Sequence, residues 1–363
     1  MRLALTGGGT GGHILPALTV LEAVRLGAAS APEVRFFGPE NRGERKTVEN
    51  AGLTFESVPA APIRGRNPFQ LARSVWQLAV GIVTAARKMR TFRPDVVFST
   101  GGYGSFPGCV AARLLRTPLV VYLPDVEPGW AVKAEKRLAT RLTTTTEAAL
   151  EFLPRAKTIV TGYPVRRAFF ATTREDARRT LGIATDERVV VVAGATQGAH
   201  AINMAVFNGL PTLLDSCTVV HVTGPADYGT ATGFKAALGS PLTDRYDISP
   251  FRDDLATVML AADLAVMRAG ASVLGELPAA ALPAVLVPAA YAGGHQRHNA
   301  AWLADAGAAL VLGEDRLGEL TNLVLALIGD PQRLATMREA AAALARPGAA
   351  DAIAKVIEEV AKR

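Results

Sequence analysis

Gly7-Gly8-Gly9-Thr10-Gly11-Gly12-His13 follows a short apolar run and opens a helical pattern. Glycines at such a turn let the backbone close on a charged group, while a helix start supplies N–H donors and partial positive charge. Thr100-Gly101-Gly102-Tyr103-Gly104-Ser105-Phe106-Pro107 and Gly194-Ala195-Thr196-Gln197-Gly198-Ala199-His200 repeat the design after two more strand-like runs. One glycine loop is commonly just a tight strand-to-helix turn; several, spread over both halves of the chain, imply room for more than one phosphate. The first also contains a literal G-x-G-x-x-G (Gly7, Gly9, Gly12), so dinucleotide binding has to be weighed. The acid expected on the ribose would be Glu33 or Glu40, neither well placed at the end of the second strand.

The elements that carry these loops alternate. Arg2–Thr6, Val34–Gly38, Asp95–Ser99 and Leu119–Leu123 read as strands, with helices over Ile14–Leu26, Asn67–Thr91 and Phe106–Leu115. A strand over Thr158–Thr161 meets the break at Gly162-Tyr163-Pro164, and the alternation restarts with strands at Val189–Ala193, Thr218–Thr223, Leu264–Met267, Ala284–Pro288 and Ala309–Leu312. This pattern predicts two doubly wound, Rossmann-like α/β domains facing across a cleft, with ligands at the carboxyl ends of the strands. We place them at residues 1–161 and 162–348. A last helix over 349–363 follows Pro347-Gly348 and is expected to pack back on the first domain.

Composition narrows the partners. The 363 residues are 49% apolar and 20% charged, which excludes a disordered or fibrous chain. Cys109 and Cys217 are too few for a disulfide framework or a zinc cage and suit a reducing compartment, the cytoplasm. The opening apolar run is too quickly broken by glycine to be a secretion signal, and no stretch is long enough to span a membrane. Residues 1–161 hold 21 Lys/Arg against 12 Asp/Glu, and residues 162–363 hold 18 against 21. The basic front half suits an anionic partner, and with no nucleic-acid-reading motif an anionic lipid surface is the better expectation. Arg64-Gly65-Arg66 precedes Phe69, Ala72, Trp76, Ala79 and Val83 at helical spacing, flanked by Arg73, Arg87, Lys88 and Arg90. That stripe reads equally as membrane interface, with Phe69, Arg73 and Trp76 its contact residues, or as core.

Several motifs in order carry a family likeness: the first loop with His13, Gly101-Gly102-Tyr103, Gly162-Tyr163-Pro164-Val165-Arg166, the run Arg268 to Glu276, and His295-Gln296-Arg297-His298-Asn299. The chain resembles the MurG family, GT-B transferases that move N-acetylglucosamine from UDP-N-acetylglucosamine to a lipid-linked muramoyl pentapeptide, and the likeness runs over essentially the whole length. It implies that Glu276 accepts the ribose hydroxyls and that the helix start near Gly270, Ala271 and Ser272 faces the donor diphosphate. Thr196, with Gln197 and Gly198 in the same loop, would meet a phosphate. Arg166 would sit by the departing diphosphate, Phe251 and Arg252 by the uracil edge, and Gln296 and Asn299 around the sugar. Thr10, Gly11, Gly12, Gly101, Gly102 and Tyr103 would line the acceptor side. Taken singly, each has a plainer use as a surface ion pair or helix cap.

The implied chemistry is inverting transfer, which needs a base for the acceptor proton and donors for the leaving diphosphate. His13, with an ordinary pKa of about 6.5, is the first candidate for base; binding diphosphate without taking the proton is the alternative. Where the family has His-Glu-Gln-Asn, this chain has Tyr122-Leu123-Pro124-Asp125, and the third loop carries Thr196 and His200 in place of the usual serine and arginine. Asp125 or Glu127 would then act as a carboxylate base or orient His13. No Asp-x-Asp signature accompanies the loops, so no cofactor and no obligatory metal are expected, the UDP-sugar being a substrate. A peripheral position on the inner face of the cell membrane follows from the lipid-linked acceptor. The rival readings are a related GT-B transferase with another acceptor, a nicotinamide dehydrogenase, and a non-catalytic sugar-nucleotide or membrane-binding protein.

Overall fold

The computed structural model of the chain describes residues 1–8, 11–40, 43–63, 67–194, 198–289 and 294–362. It divides into two compact units, Met1–Pro164 with Gly348–Arg363, and Val165–Pro347. The change-over lies just past the expected joint because the residues there still belong to the first sheet. The N–H groups of Thr161 and Gly162 both donate to the Thr144 carbonyl, and Tyr163 packs edge-on against Tyr122, with ring centroids 6.3 Å apart.

The first unit runs β1 (Arg2–Thr6), α1 (Gly11–Gly27), β2 (Glu33–Gly38), α2 (Glu44–Asn50), β3 (Thr54–Ser57), α3 (Pro68–Phe92), β4 (Val96–Ser99), α4 (Phe106–Leu114), β5 (Leu119–Leu123), α5 (Trp130–Leu138), β6 (Arg141–Thr144) and β7 (Thr158–Val160). Its sheet has the order β3-β2-β1-β4-β5-β6-β7, and every pairing is parallel. Helices on both faces bury β4 and β5 completely, which is why Val-Val-Phe-Ser and Leu-Val-Val-Tyr-Leu are continuous rather than alternating apolar runs.

The second unit runs α6 (Ala168–Ala171), α7 (Arg174–Leu181), β8 (Val189–Ala193), α8 (His200–Ser216), β9 (Thr218–Val222), α9 (Tyr228–Ala237), β10 (Tyr246–Ser249), α10 (Leu255–Ala261), β11 (Leu264–Met267), α11 (Val273–Ala279), β12 (Ala284–Leu286), α12 (His295–Asp305), β13 (Ala309–Val311), α13 (Leu320–Ile328) and α14 (Pro331–Ala343). Its parallel sheet has the order β10-β9-β8-β11-β12-β13. The closing helix α15 (Ala349–Ala361) turns Ile353, Val356, Ile357 and Val360 inward and packs along α1 within the first unit.

Both sheets reverse their winding once, between β1 and β4 in the first and between β8 and β11 in the second. Chain leaving the carboxyl ends of those strands diverges to opposite faces and leaves a crevice at each switch point. The three glycine loops and the Arg268–Ser272 segment are the four connections that leave these strands.

Helix α3 separates its two faces by residue type. Ser74, Leu78, Gly81, Ala85, Met89 and Phe92 are buried, whereas Phe69 is 86% exposed, Trp76 70% and Val83 50%. The stripe read from the sequence as either interface or core therefore faces solvent, and the core side is the row between. Asn67 caps the helix by accepting from the Gln70 N–H at 2.8 Å, and Arg93 ends it in the left-handed region.

Candidate functional site

At the first switch point the loops after β1 and β4 press together. Gly102 has φ 86°, and a Cβ there would stand 2.3 Å from the Gly8 carbonyl and 2.9 Å from His13 Cδ2, so only glycine lets the loops meet and seats the imidazole on the second. His13, half-buried on the first turn of α1, lies 2.9 Å through Nδ1 from the Thr100 carbonyl, and Thr100 Oγ1 donates to the His13 carbonyl at 2.6 Å. A carbonyl can only accept, so Nδ1 carries the proton and the lone pair of the neutral ring is on Nε2. Burial lowers the His13 pKa, while the charge of Asp125 and the Thr100 carbonyl act to raise it. Asp125 is therefore close enough to favour an imidazolium once one forms. Glu127 accepts from Lys133 Nζ at 2.8 Å.

Beneath the second loop lies a carboxylate that sequence reading passed over. Glu135 of α5 is fully buried; it faces Ser99 Oγ at 3.1 Å and Ser105 Oγ at 2.5 Å. Burial raises its pKa to about 7 against the hydroxyls of Ser105 and Ser99 and the Cys109 thiol. Its signal was a Glu on the inward row Val132–Glu135–Leu138 of an otherwise basic helix.

At the second switch point Glu276 stands on α11 above Ser272. Its N–H donates to the Ser272 carbonyl at 2.8 Å. Burial raises its carboxyl pKa, opposed first by the Ser272 hydroxyl and then by the charge of Arg166. Helix α12 ties the neighbouring loops: Asn299 Nδ2 donates to the Ala269 carbonyl at 3.0 Å, and the Ala289 N–H donates to Gln296 Oε1 at 2.8 Å. Buried Arg268 reaches Glu314 at 2.5 Å.

Comparison with known proteins now has a geometry to attach to. The glycosyltransferase family 28 N-terminal domain matches residues 3–144, and the family 28 C-terminal domain matches residues 188–356. The UDP-N-acetylglucosamine–N-acetylmuramyl-(pentapeptide) pyrophosphoryl-undecaprenol N-acetylglucosamine transferase of Desulforudis audaxviator is 37% identical over 99% of each chain. That of a Roseiflexus species is 35% identical, covering all of this chain and 96% of that protein. The chain belongs to glycosyltransferase family 28, among its MurG transferases. The crystal structure of Acinetobacter baumannii MurG superposes with a TM-score of 0.75 over 99% of both chains at 24% identity, a likeness of fold. The architecture is the two-domain, Rossmann-like GT-B fold of such transferases, and a nicotinamide dehydrogenase is set aside.

Within this family 28 chain the expected residues fall as follows. Gly11 opens α1, with Gly12 exposed beside His13. Gly101, Gly102 and Tyr103 form the second loop, with Tyr103 half-buried. Thr10, Thr196 and Gln197 lie outside the described residues. Gly198, with φ 81°, presses so close to the end of β9 that a Cβ would stand 2.3 Å from the Thr223 carbonyl. Gly270, Ala271 and Ser272 make the turn into α11 and, like Glu276 and Gln296, are half-buried. Arg166 and Phe251 are exposed. The Arg252 guanidinium is held by Asp247 and by both oxygens of Asp254. Asn299 is fully buried and spends its amide N–H on Ala269, so it shapes the loop after β11 from below.

Also unforeseen was a chain of polar groups beneath the third loop. Asn203 Nδ2 donates to the Thr223 carbonyl at 2.8 Å and to Asp227 Oδ2 at 2.7 Å. His221 Nε2 donates to Asn203 Oδ1 at 3.0 Å, and Tyr246 OH donates to His221 Nδ1 at 2.9 Å. Burial lowers the His221 pKa to about 4, so the ring is neutral. Asp227 also meets exposed His200 at 2.8 Å, at the head of α8.

Proposed function

We propose that the protein transfers N-acetylglucosamine from UDP-N-acetylglucosamine to a polyprenyl-diphosphate-linked N-acetylmuramoyl pentapeptide, the acceptor being held by the first unit and the donor by the second. The observation that carries this reading is His13. Its proton-bearing Nδ1 is fixed on the Thr100 carbonyl and its Nε2 lone pair is left for a substrate hydroxyl, in a chain whose full length matches transferases of this activity. The acceptor O–H gives its proton to Nε2, the oxygen forms the new bond to the anomeric carbon, and UDP leaves from the opposite face with the bonding electron pair. The charge of Asp125 stabilises the imidazolium that results. In the second unit Glu276 accepts the ribose hydroxyls, with its charge balanced by Arg166, and the Gly270–Ser272 turn and the third loop meet the diphosphate.

Fixed backbone and arginine donors supply the leaving-group stabilisation, and the reading includes no obligatory metal. The protein works from the inner face of the cell membrane. Among the described residues no helix is long and apolar enough to cross a membrane, and the exposed stripe Phe69, Trp76 and Val83, beside Arg73, suits a peripheral position on anionic lipid. The test is a transfer assay with labelled UDP-N-acetylglucosamine and UDP-glucose against a lipid-linked muramoyl pentapeptide and unrelated acceptors, with and without excess chelator. Transfer of N-acetylglucosamine to the muramoyl acceptor, unchanged by chelator, is expected. Transfer only to another acceptor overturns the acceptor assignment, and a loss restored by magnesium overturns the metal-free reading.

A further inference from the structure

The carboxyl of Glu135 is fully buried, and the hydrogens of the side chains around it can be counted. Ser99 Oγ accepts from the Gly101 N–H at 3.1 Å and has one proton, which goes to Glu135 Oε2 at 3.1 Å. Ser105 Oγ also has one proton but faces two acceptors, the Gly102 carbonyl at 2.7 Å and Glu135 Oε1 at 2.5 Å. An ionised Glu135 is acceptor-only and competes with Gly102 for that proton. A protonated Glu135 donates to Ser105 Oγ through Oε1, which releases the serine proton to the Gly102 carbonyl and satisfies the whole set.

We propose that Glu135, in its protonated form, is a positioning residue that sets the Gly101–Gly104 backbone against the imidazole of His13 through Ser99 and Ser105. Gly102 is the point of action, since its Cα carries no side chain where His13 Cδ2 and Nε2 pass within about 3 Å of a Cβ position. A shift of this loop moves the surface that holds the base. The proposal rests on the transferase reading above, and it concerns a residue that does not touch substrate.

The surroundings let the carboxyl act alone. On α4 the Cys109 thiol faces it, and burial followed by the nearby Glu135 charge pushes that thiol well above its ordinary pKa, so it offers an S–H rather than a charge. On α5 itself Lys133 is engaged by Glu127 at 2.8 Å and Lys136 by the Phe152 carbonyl at 2.8 Å, while Arg137 is exposed. On β5 the Tyr122 hydroxyl is turned to Thr145 Oγ1 at 2.7 Å. Arg113 of α4 faces solvent. Burial raises the Glu135 pKa to about 7.

The experiment compares full-length wild type, Glu135→Gln and Glu135→Ala. The amide of Gln keeps a donor for Ser105 and an acceptor for Ser99 but does not titrate in this range. Turnover of wild type is expected to fall as pH rises through about 7, because the active form holds the proton. Glu135→Gln should keep the acid-side turnover and lose that fall. Glu135→Ala should lose about 10²-fold in kcat, the scale of a misplaced catalytic group, with UDP affinity unchanged. Amide hydrogen exchange over residues 100–105, corrected for intrinsic rates, is read in parallel and needs no activity. Protection should drop with pH in wild type and stay level in Glu135→Gln. An identical pH dependence of loop protection in the two proteins overturns the proposal, whether or not transfer is seen. Absence of transfer in wild type overturns the functional reading instead.

Discussion

The two switch points share one topology and differ in what their buried polar groups can do. In the first unit two groups at the crevice are shifted by burial: His13 is lowered, with Asp125 working against that shift, and Glu135 is raised to about 7. In the second, burial likewise raises the Glu276 carboxyl, and the polar groups packed around the loops are paired with one another. His221 is held neutral, Asn203 donates to the Thr223 carbonyl and the Asp227 carboxylate, Asn299 donates to the Ala269 carbonyl, and Arg268 is paired with Glu314. On the function proposed above, the same diverging strands would serve in one unit to move a proton and in the other to hold the donor nucleotide. Fold supplies the crevice, and residue chemistry assigns the role.

Crossed variants are the strongest way to break this comparison. His13→Asn should lower kcat by about 10²- to 10⁴-fold, the usual worth of a general base, and leave UDP affinity unchanged. Glu276→Gln should do the reverse: about 10- to 100-fold weaker UDP binding by calorimetry, the worth of hydrogen bonds to a charged group, with a smaller change in kcat. If His13→Asn weakened UDP binding as much as turnover, the division of labour between the units would be wrong.

Glu135 and His221 should contribute to the stability of their units with opposite dependence on pH. The Glu135 pKa rises from 4.5 to about 7 on folding, so the native state binds the extra proton and the first unit loses stability as pH rises through that window. The His221 pKa falls from 6.5 to about 4, so the unfolded chain binds the extra proton and the second unit loses stability as pH falls from 6.5 toward 4. Hydrogen exchange between pH 4.5 and 6.5, with Glu135→Gln and His221→Gln as references, should show the Glu135 contribution to protection of the first unit's core growing on acidification and the His221 contribution in the second unit declining. Glu135→Gln and His221→Gln should each flatten one trend. Asn203→Ala, which removes the shared partner of Asp227 Oδ2, His221 Nε2 and the Thr223 carbonyl, should destabilise the second unit by about 1–3 kcal/mol in denaturant unfolding at pH 7. Wild-type pH dependence of protection in the first unit of Glu135→Gln, or in the second unit of His221→Gln, would contradict the assignment of these buried groups.

The fold was legible in the sequence where burial made the pattern continuous. The runs Val189–Ala193 and Leu119–Leu123 lie on inner strands covered on both faces, and no polar residue interrupts them. Strands β3, β6 and β10 went unread. Thr54-Phe55-Glu56-Ser57 and Tyr246-Asp247-Ile248-Ser249 lie at sheet edges and carry polar residues toward solvent, and Arg141-Leu142-Thr143-Thr144 has a single large apolar side chain. At the sites, motifs exposed the residues that line loops. Glu135 and Asn203 act from underneath, where a lone polar residue in a helix is indistinguishable from a solvated one until the neighbouring helix and loop are in place. The facing of α3 was open for a related reason. Phe69-Trp76-Val83 and Leu78-Ala85-Phe92 are both apolar rows at helical spacing, and only packing shows which is covered.

The smallest effect concerns the charge division between the units, with its surplus of Lys/Arg in residues 1–161. An exposed arginine held at an anionic bilayer contributes about 1 kcal/mol. Arg73→Gln, on the exposed side of α3 beside Trp76, should therefore weaken sedimentation with phosphatidylglycerol vesicles about fivefold at physiological salt and leave UDP affinity untouched. The matching Arg333→Gln, on the exposed side of α14 in the second unit, should change nothing. With neutral vesicles the difference between the two variants should vanish, because the field that distinguishes them comes from the lipid. Equal losses for Arg73→Gln and Arg333→Gln on anionic vesicles would mean that net charge alone, rather than the face of α3, brings the protein to the surface.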